Sequence, residues 1–166
     1  MNKFNSESPA VIKMLKNFCS PFKLRLYFMA KLPSVAFWRI GIKKIDPNEC
    51  VINLPFSRRT KNPFRSIYFA AQNGAAELST GLLASLAIAE HGRISMLVTN
   101  VEASFSKKAN KTTYFTCKDG AKIQEAVQKA IDTKEGVEIS VDAIGHMESG
   151  EEVARFIFTW SFKVKS

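Results

Sequence analysis

The sequence predicts an α+β domain in which an antiparallel sheet of about six strands wraps one long helix, with helices ahead of it. Three observations lead there. The stretch Ser66 to Glu90, SIYFAAQNGAAELSTGLLASLAIAE, is small and apolar, with Glu77 the one charge before its end, and is far too long for a strand. Runs rich in β-branched and aromatic residues lie on both sides of it, separated by turn signals. The last run alternates Ala154, Phe156, Phe158, Trp160 and Phe162 against Arg155, Ile157, Thr159, Ser161 and Lys163, which gives a strand with one aromatic face.

The elements follow in chain order. Ser8-Pro9 and Ser20-Pro21 each read as an N-cap followed by a first-turn proline, so residues 8 to 32 form two short amphipathic helices. From Val35 the texture becomes strand-like: VAFWRIGIKKI and ECVINLPF flank the turn Asp46-Pro47-Asn48 and predict a hairpin. The basic loop SRRTKNPF leads into the long helix, and Gly92 suits the left-handed position that closes it. ISMLVTNVEASFSK is expected to pair with KTTYFTCK across a turn at Lys108 to Asn110. Ile123, Ala126, Val127, Ala130 and Ile131 recur at helical spacing, ended by Gly136. A final hairpin turns at Glu148-Ser149-Gly150. A flat sheet cannot cover the long helix, so the sheet must curl around it, with Ala70, Ala71, Gly74, Ala75, Gly81 and Ala84 allowing close approach. The chain divides into a helical arm, 1–34, and a domain, 35–166.

Composition limits the function. With 166 residues the chain holds one full core. A formal charge of +9 favours an anionic partner such as a nucleotide-bearing ligand, nucleic acid or a lipid surface; the plainer reading is a soluble, lysine-rich exterior. Cys19, Cys50 and Cys117 lack metal-ligand or disulfide-framework spacing, so no metal site is expected and a reducing cytoplasm fits best. Lys13, Lys16, Lys23, Arg25 and Lys31 break the N-terminal apolar run, which argues against a signal peptide. Gln72, Asn73 and Glu77 fall in the first half of the long segment, which argues against a membrane span. The basic N-terminal arm is either a lid over the core or a contact for a membrane surface or acyl ligand. No aromatic RNA-binding signature or recognition helix supports nucleic acid as a partner, and no Ser-His-acid spacing or phosphate-binding Gly loop is present.

Glu77 is the candidate of greatest interest. An unpaired carboxylate in an apolar setting costs several kcal/mol, so it is paired, exposed in a cleft, or held protonated. Asn73 stands one turn earlier on the same face. A structural acid paired across a dimer interface or with a Lys or Arg is the plainer reading of Glu77, and polar residues on an exposed strip that of Gln72 and Asn73. His91 and His146 read as exposed turn residues.

Several strings carry a resemblance. NPFRSIYFAAQNGAAELSTGLLA, VEASFSKKANKTTYFTC and DAIGHMESGEEVARFIFTWSFK resemble the hotdog-fold superfamily of PaaI-like acyl-CoA thioesterases, and within it an uncharacterised bacterial branch known as a domain of unknown function. The likeness spans roughly residues 35 to 164. It matches Asn62 to the loop before the helix and Glu77 to the helix acid, with Thr80-Gly81 following; a second register puts Asn73 at the acid position. The Gly-Gly that many members carry at the helix entrance is replaced by Phe69-Ala70 or Arg65-Ser66.

The resemblance implies a hotdog fold, acyl-CoA or another acyl thioester as substrate, and a homodimer or tetramer with sites between subunits. It needs no cofactor beyond the coenzyme A of the substrate. Glu77 would be general base or nucleophile, Asn73 would orient water or substrate, and backbone N–H groups around Ser66, Phe69 and Ala70 would polarise the carbonyl. Arg58, Arg59 and Lys61, with Lys107, Lys108 and Lys111, would meet the phosphates of coenzyme A, or else are solvated charge. The missing Gly-Gly leaves a second function, a non-catalytic acyl or lipid binder.

Overall fold

The computed structural model describes residues 4–165. Three prolines each open a helix: α1 (Pro9–Phe18), α2 (Pro21–Lys31) and α3 (Pro33–Trp38). Ser8 caps α1 as expected, its Oγ accepting the Val11 N–H at 3.3 Å. The third helix corrects the reading of a strand from Val35. Short apolar runs such as VAFW carry no decisive period, and here Pro33 starts a turn that left-handed Arg39 (φ 56°) ends. Trp38 then rests against Gly74, where an added Cβ would meet its ring at 3.0 Å.

The hairpin β1 (Gly41–Ile45) and β2 (Cys50–Leu54) forms where predicted. Asp46 closes it by accepting the N–H groups of Asn48 and Glu49, both at 2.9 Å. The central helix α4 spans Phe69–Ile88. It is followed by β3 (Ile94–Phe105), β4 (Thr113–Cys117), α5 (Gly120–Thr133), β5 (Val137–Met147) and β6 (Glu152–Val164). Neither predicted glycine closes its helix: α4 ends at Ala89 in right-handed geometry, with Gly92 (φ 52°) three residues beyond, and α5 is closed by left-handed Lys134 rather than by Gly136.

The six strands form one antiparallel sheet in the order β1-β2-β4-β5-β6-β3. The predicted β3–β4 pair therefore does not exist. Instead β3 pairs with β6 from Ile94↔Val164 to Phe105↔Ala154, and residues 106–112 cross the ends of β6 and β5 to reach β4. Length argues against the predicted pair: β3 has 12 residues and β4 has 5, so β4 would leave more than half of β3 unsatisfied, while β6 with 13 residues covers its run.

The concave face carries the core. Phe156, Phe158 and Phe162 are fully buried and Trp160 nearly so, which makes the aromatic row of β6 its spine. Against this face α4 packs on β2, β4 and β5, with α5 alongside, burying Ala71, Ala75, Gly81 and Ala84. Close packing is most severe at Gly120, where a Cβ would fall 2.2 Å from the Pro47 carbonyl oxygen and 2.6 Å from the Asn48 Cα. Both atoms are backbone and cannot yield. Gly120→Ala is expected to cost about 1–3 kcal/mol or more by overpacking, read as a lower urea midpoint at unchanged slope.

Candidate functional site

The loop before α4 is held by its own side chains. Asn62 Oδ1 accepts the N–H groups of Phe64 and Ser66 at 3.0 and 3.2 Å, and its Nδ2 donates to Ser66 Oγ at 3.0 Å. Left-handed Arg65 (φ 61°) completes this turn. Beyond it the Ile67 N–H donates to the Ala109 carbonyl at 2.7 Å and the Tyr68 N–H to the Thr60 carbonyl at 2.6 Å. The helix entrance is thus fastened to the turn that follows β3. Among the described residues no acceptor takes the N–H groups of Phe69 and Ala70, so the first turn of α4 presents two donors at the positive end of the helix dipole.

Between the helix entrance and the β3 turn lies a groove of about 430 Å³ lined by Asn62, Ser66, Phe69, Gln72, Lys107 and Lys108. Phe105 forms its far wall, its ring edge-on to Phe69 at 6.3 Å. Five residues singled out in the sequence therefore converge on one site. Lys107 is ion-paired with Glu151, while Lys108 forms no ion pair among the described residues.

Other predicted residues lie elsewhere. Arg59 turns from the groove toward α3, donating to the Phe37 carbonyl at 3.5 Å with its guanidinium 5.6 Å from the Phe37 ring centroid. It lines a separate cavity of about 600 Å³ between α2 and β1. Arg58, Lys61 and Lys111 are exposed, and Ala70 is half-buried in the first turn.

Glu77 and Asn73 sit deeper along α4, both half-buried and outside the groove lining. Eight residues separate Phe69 from Glu77, roughly 12 Å along the axis. The carboxylate lies over Gly81: a Cβ there would stand 3.2 Å from Glu77 Oε1 and 3.4 Å from the Trp160 ring. Glycine is what leaves room for it. Beneath, Trp160 Nε1–H donates to Thr80 Oγ1 at 3.0 Å, and Thr80 donates to the Glu77 carbonyl at 2.9 Å. Among the described residues Glu77 forms no ion pair, and burial pushes its carboxyl above the ordinary glutamate range.

The sequence reading missed Gln72, which is 5% exposed rather than on an open strip. Its Nε2 donates to the Ile67 carbonyl at 3.1 Å, and its Oε1 meets no donor among the described residues. Its spacing from Ala76, Ser79 and Leu83, all buried on the same side, was the available signal.

Comparison with known proteins agrees with this architecture. No curated protein matches the chain. A Pseudomonas aeruginosa protein of unknown function has a TM-score of 0.73 at 18% identity, over 88% of this chain and 97% of that one. The E. coli PaaI protein of the phenylacetic acid degradation operon has a TM-score of 0.63 at 12% identity, over 95% and 97%. A Staphylococcus aureus thioesterase, solved as a glutamine-to-alanine and a glutamate-to-alanine variant, gives TM-scores of 0.58 and 0.60 at 14% and 13% identity. These two matches cover 78% and 79% of this chain and 97% and 98% of those. At such identities the likeness is one of fold, and the fold is the thioesterase-like hotdog. Residues 23–162 match the family described as a domain of unknown function (DUF4442), and the chain belongs to that family.

Proposed function

We propose that this protein hydrolyses acyl thioesters, with acyl-CoA as the substrate class and Glu77 as the general base. The observation that carries the reading is Glu77 itself: a half-buried carboxylate without an ion-pair partner among the described residues, raised in pKa and given space by Gly81. Glu77 accepts a proton from water, and the hydroxide equivalent adds to the thioester carbonyl. The oxyanion is held by N–H donors at an α4 entrance, and the tetrahedral intermediate collapses to release thiol and acid, Glu77 returning the proton. The amide of Asn73 orients the water. Lys108 and Lys107 face the phosphates of coenzyme A at the groove mouth.

A second copy of the chain completes the site. The base and the donors of one α4 stand too far apart to grip one carbonyl, so the donors come from one subunit and the base from the other. The edge strand β3 supports this pairing: it is 12 residues long, has no partner strand on its outer side among the described residues, and exposes Leu97, Val101 and Phe105. The glutamine and glutamate replaced in the S. aureus thioesterase lie fifteen residues apart, the same separation as Asn62 and Glu77.

The second reading, a non-catalytic acyl binder, is favoured by Phe69-Ala70 where a glycine pair would admit the carbonyl most closely. Thiol release from a panel of acyl-CoA chain lengths decides between them. Hydrolysis of at least one chain length is expected. No release from any chain length, with fatty acid found by mass spectrometry in the purified protein, would establish the binder.

A further inference from the structure

We propose that the N-terminal arm docks the protein on an anionic lipid surface through the outer face of α2. This helix is apolar on two opposite sides. Leu24 and Phe28 face inward and join the core of the domain, which fixes α2 to the body of the molecule. On the other side Phe22, Leu26 and Met29 are 73%, 48% and 50% exposed. At about 100° per residue these three fall within an arc of about 60°, so they form one ridge, with Arg25 and Lys23 on its two flanks.

Charge names the occupant. From Ser8 to Ile45 the chain carries eight Lys and Arg and no Asp or Glu, so most of the net +9 belongs to this part. Only Lys44 among those eight forms an ion pair within the described residues. A second copy of this chain would bring the same cations against themselves. A lipid surface accepts a convex ridge without a matching groove, takes the aromatic and unbranched side chains below the headgroups, and leaves the flanking cations beside lipid phosphates. The proposal is independent of turnover at Glu77.

Sedimentation of the full-length protein with vesicles tests it. Partition is expected into vesicles of phosphatidylcholine and phosphatidylglycerol in equal parts, and not into phosphatidylcholine alone. Lys23→Gln with Arg25→Gln is expected to weaken partition about 5-fold for each cation removed. Phe22→Ser with Leu26→Ser is expected to weaken it more than about 10-fold. All four side chains are exposed, so melting followed by circular dichroism should not change. Absence of partition, or partition indifferent to these substitutions or to phosphatidylglycerol, overturns the proposal. So does a fall in oligomeric mass in the Phe22→Ser/Leu26→Ser variant, which would assign the ridge to a second copy. Retention on an acidic polypeptide without vesicle binding would assign it to a protein partner.

Discussion

Glu77→Gln is expected to lower the turnover number for acyl-CoA hydrolysis by about 10²–10⁴ while leaving KM within a few-fold of the wild type. The substitution keeps the size and shape of the side chain, so Gly81 still accommodates it and the Trp160–Thr80 hydrogen bond beneath is undisturbed. What disappears is the capacity to take a proton from water. Since Glu77 lies outside the groove where Lys107 and Lys108 stand, ground-state binding should survive, and the loss should fall on the chemical step. Equal turnover in the two proteins would remove Glu77 from the mechanism.

The same carboxyl sets two pH profiles with opposite consequences. Burial raises its folded-state pKa above the unfolded value, so folding favours the protonated form. Stability is then greatest at low pH with respect to this group, and is lost as pH rises from the ordinary glutamate range through the elevated pKa. Activity needs the ionised form and rises across that interval. Thermal melts should show Glu77→Gln gaining on the wild type with increasing pH through that window, while the acid limb of wild-type kcat lies above the ordinary glutamate range. A stability difference that shrank with pH would contradict the burial of an unpaired acid.

How much of this was legible in the sequence depended on range. The aromatic alternation from Ala154 to Phe162 and the turn at Glu148-Ser149-Gly150 are local signals, and both the strand and its hairpin with β5 formed as read. The length and small residues of the Ser66–Glu90 stretch gave the central helix. The partner of β3 was not legible, because strand pairing is settled by competition over the whole sheet, and Lys108 to Asn110 resembles a hairpin turn whether or not the chain crosses the sheet there. At the site, Asn62, Ser66 and Phe69 meet Lys107 and Lys108 through a long-range contact, the Ile67 N–H donating to the Ala109 carbonyl, whereas locally the lysines read only as a turn between two strands. Arg59 stands elsewhere because its partner Phe37 lies on α3, a short helix that the apolar run VAFW does not distinguish from a strand.

Phe156→Ala should cause the largest loss of stability, about 3–5 kcal/mol in urea denaturation. The ring is fully buried and touches three others, edge-on to Phe105 at 5.6 Å, tilted to Phe115 at 5.8 Å and stacked on Phe158 at 6.0 Å. Such pairs contribute about 0.5–1.5 kcal/mol each beyond buried area. The site cannot collapse readily: Phe115 is wedged against Gly145, where an added Cβ would lie 2.6 Å from its ring. Phe156→Leu refills most of the volume and should recover more than half of the loss. The effect also reaches the groove, since Phe105 is the ring between Phe156 and Phe69. With Phe156 truncated, Phe105 loses its inner support and the wall facing Phe69 loosens. KM for acyl-CoA should therefore rise in Phe156→Ala at temperatures where the protein is still folded, and return toward the wild type in Phe156→Leu. Direct truncation by Phe69→Ala should raise KM with little change in stability, because that ring is 55% exposed. The two variants together separate what the aromatic chain does for the fold from what its outer end does for the ligand.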